Sequence, residues 1–151
     1  MAHILLVDDD DIIADHVAQV LIDAGHACGW VSDTKAALKV ISQRKPDLVL
    51  LDHALPGENG TALLRRLRTS PEFYDLPVVM LTSATGFKEE QIALYSGAQD
   101  YIRKPFGARM LVFRVNQVLK ARAHKPSHRT IGQRVGAEPD ERQAMPRMRM
   151  I

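Results

Sequence analysis

Residues 4–11, Ile-Leu-Leu-Val-Asp-Asp-Asp-Asp, pass directly from four apolar side chains to four carboxylates. An apolar run with no polar alternation suits a strand buried on both faces, as in a parallel sheet covered by helices. The acids then stand at the carboxyl end of that strand. Four more short runs share the pattern, at 27–31, 48–51, 78–81 and, more weakly, 101–102, each bounded by charge, Gly or Pro.

Amphipathic helical patterns lie between the runs. Ile13, Val17, Val20, Leu21 and Ala24 recur at helical spacing and face away from Asp11, Asp15 and Gln19. Gly25 follows where a left-handed residue closes a helix. Ser32 is placed to cap a second helix over 33–44, which Lys45-Pro46 stops. Asn59-Gly60 opens a third that reaches Arg68, and a fourth spans 87–96 with Gly97 behind it. A fifth runs from about 107 to 123 with Leu111, Val115, Val118 and Leu119 on one stripe. Strands alternating with helices imply right-handed crossovers and an α/β, doubly wound, five-stranded parallel sheet.

Composition narrows the function. A chain of 151 residues holds one domain and at most a tail. With 46% hydrophobic and 25% charged residues it is not a disordered chain. No apolar run approaches the roughly 20 residues that cross a bilayer, and residues 1–25 lack the pattern of a signal peptide. A cytoplasmic location with no membrane partner is expected. The single cysteine, Cys28, excludes an intramolecular disulfide and is expected to be a small buried packing residue. Aromatics at 5% leave little for base stacking, so nucleic acid is not expected as a partner except through the tail. The net charge of +2 divides into −2 over residues 1–121 and +4 over 122–151.

In doubly wound sheets the ligand crevice lies beyond the carboxyl ends of the strands. After the first strand come Asp8, Asp9, Asp10 and Asp11; after the third, Asp52; after the fourth, Thr82-Ser83; after the fifth, Lys104-Pro105. Three acids from two strand ends would thus meet one hydroxyl and one amine. Such carboxylates repel each other unless a cation sits among them. Oxygen donors without His or Cys suggest Mg2+. A lysine opposite a divalent cation suits a phosphoryl group, whose oxygens both neutralise while a carboxylate attacks in line. Plainer roles await other residues. Asp10 or Asp11 caps the first helix. His53 alternates away from Asp52, towards packing or solvent, and His3, His16 and His26 fit no ligand spacing. Pro56-Gly57 and Asn59-Gly60 are turn formers.

Taken together these motifs resemble the response-regulator receiver (CheY-like) family over about residues 2–122. ILLVDD at 4–9 is similar to its first strand and acid pair, and LLDHALPGENG at 50–60 to its phosphoacceptor strand and loop. VVMLTS at 78–83 carries the switch hydroxyl, and GAQDYIRKPF at 97–106 the Lys-Pro-Phe motif with Tyr101 three residues before Lys104. The resemblance implies the flavodoxin-like (βα)5 receiver fold, with a cis Lys104–Pro105 bond. It further implies that Asp9, Asp52 and the Ala54 main-chain carbonyl bind Mg2+, with Asp8 acting through a bound water. Asp52 would accept a phosphoryl group from a sensor histidine kinase or histidine phosphotransfer protein. Thr82 and Lys104 would hold its oxygens, and Tyr101 would turn inward behind Thr82. The output face would be the fourth helix, fifth strand and fifth helix, binding a downstream protein or a second copy. The protein would then be a switch rather than an enzyme acting on other substrates.

Met110, Val112 and Phe113 exceed what the fifth helix needs for its core, and Phe113 and Tyr95 are assigned to a partner surface. Two alanines, Ala54 and Ala84, stand where family members carry side chains flanking the hydrolytic water, which implies slow loss of phosphate. Residues 123–151 read as a basic, flexible tail with no effector domain. Pro126, Pro139 and Pro146 with Gly132 and Gly136 break it too often for a helix-turn-helix; an arm ordering on a second copy or nucleic acid is the alternative. Three rival functions remain. An Asp-nucleophile Mg2+ phosphatase wants a second acid where Ala54 stands, and a flavodoxin-type redox carrier wants donors where the acids stand. The third makes the chain a receiver fragment of a longer transcription factor or output enzyme.

Overall fold

A computed structural model of the chain describes residues 1–83 and 87–123. Each apolar run becomes one strand: β1 (His3–Val7), β2 (Ala27–Val31), β3 (Leu48–Leu51), β4 (Val78–Thr82) and β5 (Asp100–Arg103). All pair in parallel in the order β2-β1-β3-β4-β5. Between them run α1 (Asp11–Asp23), α2 (Thr34–Gln43), α3 (Gly60–Thr69), α4 (Phe87–Tyr95) and α5 (Ala108–Ala123). The doubly wound α/β architecture follows from the alternation of short apolar runs and amphipathic helices. β5 needs only two buried side chains, Tyr101 and Ile102, because it is an edge strand.

The sheet divides the core in two. Leu5, Val7, Val49, Leu51, Val78 and Met80 pack against α2, α3 and α4 through Ala37, Ile41, Leu63, Leu64, Leu67 and Ala93. Ile4, Leu6, Leu48, Leu50, Val79 and Leu81 meet α1 and α5 through Ala14, Val17, Leu21, Leu111 and Val115 on the other face. These side chains are essentially inaccessible, so truncating one of the leucines to Ala costs about 2–5 kcal/mol.

Caps set the helix starts. Asp10 Oδ1 accepts from the N–H groups of Ile12 and Ile13 at 3.0 and 3.2 Å, leaving Asp11 in the first turn. Asn59 accepts from the Ala62 N–H at 2.9 Å, as its position suggested. The second cap corrects the expectation: Asp33, not Ser32, accepts from Ala36 N–H at 2.7 Å, and the helix begins at Thr34. A carboxylate there also meets the positive end of the helix dipole, which a hydroxyl does not.

At the amino ends of β4 and β5, Arg68 acts as a clasp. Its guanidinium donates to the carbonyls of Gly97 at 2.9 Å and Leu76 at 2.8 Å, and to Gln99 Oε1 at 3.0 Å. Burial pushes its pKa down to about 10. Gly97 has φ +111 and lies against the Arg68 side chain, so any Cβ there meets both strain and a clash.

Among the described residues no helix is long and apolar enough to cross a membrane. The expectations for Ala84 and for the tail beyond residue 123 lie outside the described residues. Cys28 is half-buried on β2, and burial pushes its thiol from an ordinary 9.0 to about 11. The reactive thiolate is therefore scarce near neutrality. At pH 8 iodoacetamide should modify Cys28 in the folded protein about a hundredfold more slowly than in the urea-unfolded chain. Mass spectrometry of timed samples checks this.

Candidate functional site

The strand order decides which residues meet. β1 and β3 are neighbours and β4 and β5 follow, so Asp8, Asp9, Asp52, Thr82 and Lys104 all leave the sheet at the same edge. Asp8 is wholly buried, Asp52 is 5% exposed and Asp9 is open to solvent. One carboxylate oxygen from each of the three lies within 4.8 Å of the others. Lys104 Nζ donates to Asp8 Oδ2 at 2.7 Å and stands 3.5 Å from Asp52 Oδ2. One ammonium thus faces three carboxylates, an oxygen-only donor set that can hold a divalent cation.

Asp8 is the most constrained of them. Its N–H donates to Val31 O at 3.1 Å, and its Oδ1 accepts from Asp10 N–H at 2.9 Å. Trp30 Nε1 donates to its main-chain carbonyl at 2.7 Å. Nothing in the sequence marked Trp30, which sits on a neighbouring strand and acts through a main-chain atom.

Asp52 has fewer partners. Its N–H donates to Val7 O at 2.9 Å, and the Ala54 N–H reaches its Oδ1 only at 3.4 Å. Burial pushes the Asp52 carboxyl up to about 6; Lys104 pulls it down and the charge on Asp8 pushes it further up. Residues 53–59 form a closed loop, with Gly60 N–H donating to His53 O at 2.7 Å. Gly60 packs on the Asp52 carbonyl so closely that a Cβ would collide with it and with Leu51. A turn former by sequence is therefore also a contact point for the acid. His53 is half-buried beside Thr61, with Nδ1 3.1 Å from its Oγ1.

Thr82 is buried at the end of β4, and its carbonyl accepts from Lys104 N–H at 2.8 Å. Tyr101 is already turned inward, 6% exposed, in the cluster that holds Met80, Ala93 and Ala98. The Lys104–Pro105 bond is cis. Ala54 is exposed, and Tyr95 and Phe113 are open to solvent at 95% and 64%. The His16 ring lies tilted beside Phe106, with centroids 6.3 Å apart, and His26 bridges Ala2 N–H and Asn116 Oδ1. Neither joins the acids.

This arrangement, an acid trio with two members buried and a lysine at the carboxyl edge of a five-stranded parallel sheet, defines a phosphoacceptor class of fold and site. The response regulator receiver domain matches residues 4–116, and the chain belongs to that family of two-component signalling proteins. It is 46% identical over 118 residues to the phosphate regulon transcriptional regulatory protein PhoB of Pseudomonas aeruginosa, covering 78% of this chain and 51% of that one. The crystal structure of the receiver domain of NtrX from Brucella abortus is 38% identical, with a TM-score of 0.73 over 78% of this chain and 98% of that one. The BeF3-activated N-terminal receiver domain of Klebsiella pneumoniae RstA is 34% identical, with the same TM-score of 0.73 and the same coverages of 78% and 98%. The chain spans about half the length of the curated relatives it matches.

The raised Asp52 carboxyl has a thermodynamic consequence. It titrates near 3.8 in the unfolded chain and about 6 in the fold, so the stability it contributes is present below pH 4 and lost as pH rises through 6. Asp52→Asn carries no charge to bury. In chelator at pH 8 the variant should be more stable than wild type by at most about 3 kcal/mol. The two should converge near pH 4 when urea unfolding is followed across the range.

Proposed function

We propose that Asp52 is the phosphoacceptor of this receiver domain. The observation that carries the reading is Lys104 Nζ lying 2.7 Å from Asp8 and 3.5 Å from Asp52, within the acid trio. An Asp52 carboxylate oxygen attacks phosphorus, and the P–N bond of a phosphohistidine breaks with its electron pair leaving on the imidazole. The donor is a sensor histidine kinase or a histidine phosphotransfer protein. Asp9, Asp52 and the Ala54 carbonyl would hold Mg2+, with Asp8 acting through water. The hard oxygen donors and the charge left over by a single ammonium fit that ion. Bound there, it supplies positive charge for the phosphoryl oxygens. Lys104 and the Thr82 hydroxyl take the remaining oxygens, and drawing Lys104 towards Asp52 loosens its hold on Asp8.

The change passes through Thr82 and Tyr101 to the α4–β5–α5 face, where a downstream protein or a second copy binds. Exposed Tyr95 and Phe113 support that face as the output. Residues 1–122 form the domain and 123–151 its basic tail, which is the one proposed route to nucleic acid. The protein catalyses only its own phosphorylation and dephosphorylation, in the cytoplasm. A second reading makes the chain the receiver portion of a longer transcription factor or output enzyme, and relatives in which the match covers only about half of the length favour it.

Mg2+ at ten times its dissociation constant should stabilise the fold by about 1.4 kcal/mol, and Asp9→Asn should abolish the gain. A melting temperature indifferent to millimolar Mg2+ would remove the metal site. With acetyl phosphate and Mg2+ the protein should gain one acid-labile phosphoryl group, absent from Asp52→Asn. Lys104→Ala should keep Mg2+ binding but lose the coupling to Tyr101. Label retained on Asp52→Asn at wild-type stoichiometry would move the acceptor elsewhere.

The phosphorylated state should also be long-lived. Hydrolysis needs an oriented water, and positioning is most of what such catalysis supplies. Alanines at 54 and 84 offer it no hydrogen bond. Ala54→Asn with Ala84→Glu should shorten the lifetime, read as decay of the phosphorylated fraction after donor removal.

A further inference from the structure

A parallel ladder continues by a fixed rule: each strand residue that donates to its neighbour also accepts from the residue two positions further on. Asp8 N–H donates to Val31 O, so the next rung would bring the Asp33 N–H to the Asp8 carbonyl. That rung is not built from backbone. β2 ends at Val31, and Asp33 turns away to cap α2. The Asp8 carbonyl accepts instead from the indole of Trp30, at 2.7 Å.

The carbonyl belongs to the peptide that joins Asp8 to Asp9. Asp8 itself is pinned by Asp10 N–H on Oδ1 and Lys104 on Oδ2. Asp9 is exposed, and among the described residues no side chain or amide holds its carboxylate. Its position therefore depends on how the preceding peptide plane is turned. Trp30 is the side chain that fixes that plane. It is 45% exposed, so its indole is not explained by burial in the core alone.

We infer that Trp30 is a positioning residue for the divalent cation, orienting the Asp8–Asp9 peptide so that the Asp9 carboxylate faces Asp52. This role rests on the proposed metal site. Outer partners that orient metal ligands are worth roughly 10- to 100-fold in metal affinity. Trp30→Phe keeps an aromatic ring and removes the N–H. In the full chain, Mg2+ titration followed by thermal melting should give an apparent dissociation constant about tenfold weaker than wild type. The metal-free melting temperature should stay close to that of wild type. An unshifted Mg2+ midpoint with a lowered metal-free melting temperature would assign Trp30 to structure alone and overturn the role.

A second measurement needs no variant. Trp30 is the chain's single tryptophan, and its emission should change with the same Mg2+ midpoint as the stabilisation. Silent emission during a titration that stabilises the fold overturns the inference while leaving the metal site standing. Wild type indifferent to Mg2+ in both measurements overturns the metal site and the inference together.

Discussion

The ammonium of Lys104 is the counterion on which the carboxyl edge of the sheet depends. Asp8 is fully inaccessible, and a buried carboxylate without a partner is costly enough to lose its charge. The 2.7 Å pair with Lys104 gives it that partner and ties the end of β5 to the end of β1 across two intervening strands. Asp52, at 3.5 Å from the same nitrogen, receives the weaker share, and burial pushes its carboxyl up to about 6. One cation is divided unequally between two acids. The acid that keeps less of it is the one assigned to react.

The run from Asp8 to Asp11 shows how one composition serves four purposes. Asp8 takes the lysine, Asp9 faces the solvent side of the trio, Asp10 caps α1 and Asp11 lies in the first turn near the positive dipole end. A comparable economy governs the loop after β3. Asn59 caps α3, and Gly60, without a side chain, lets that helix start directly against the Asp52 carbonyl. Helix starts and site therefore share the same few residues, and neither can shift without the other.

Much of this was legible in the residues. Apolar runs of four or five marked the first four strands and a weaker pair, Tyr101-Ile102, the edge strand β5, because a doubly covered sheet leaves no polar alternation to confuse the pattern. Acids, hydroxyl and lysine at the strand ends marked the site, because in this architecture the ends converge. Adjacent Ser32 and Asp33 are both good caps, so composition could not choose between them; the reach of the Asp33 carboxylate to Ala36 N–H did. Contacts from side chain to distant backbone left no trace. Trp30 reaches a carbonyl 22 positions away and Arg68 one 29 positions away, and neither residue type nor spacing announces such a bond.

The Arg68 clasp has a consequence for how the molecule breathes. Its donors end on carbonyls from the turn after α4 and from the segment leading into β4, while its own backbone is the last turn of α3. Three segments that are remote in the chain share one guanidinium, and opening any of them strands buried donors in the others. They should therefore open as a single cooperative unit, whose amides exchange deuterium together rather than fraying one by one. At the opposite edge the link between β1 and β5 is the Lys104 ammonium, which lies within reach of two carboxylates, Asp8 and Asp52. Rigidity and adaptability are thus assigned to opposite ends of the same strands.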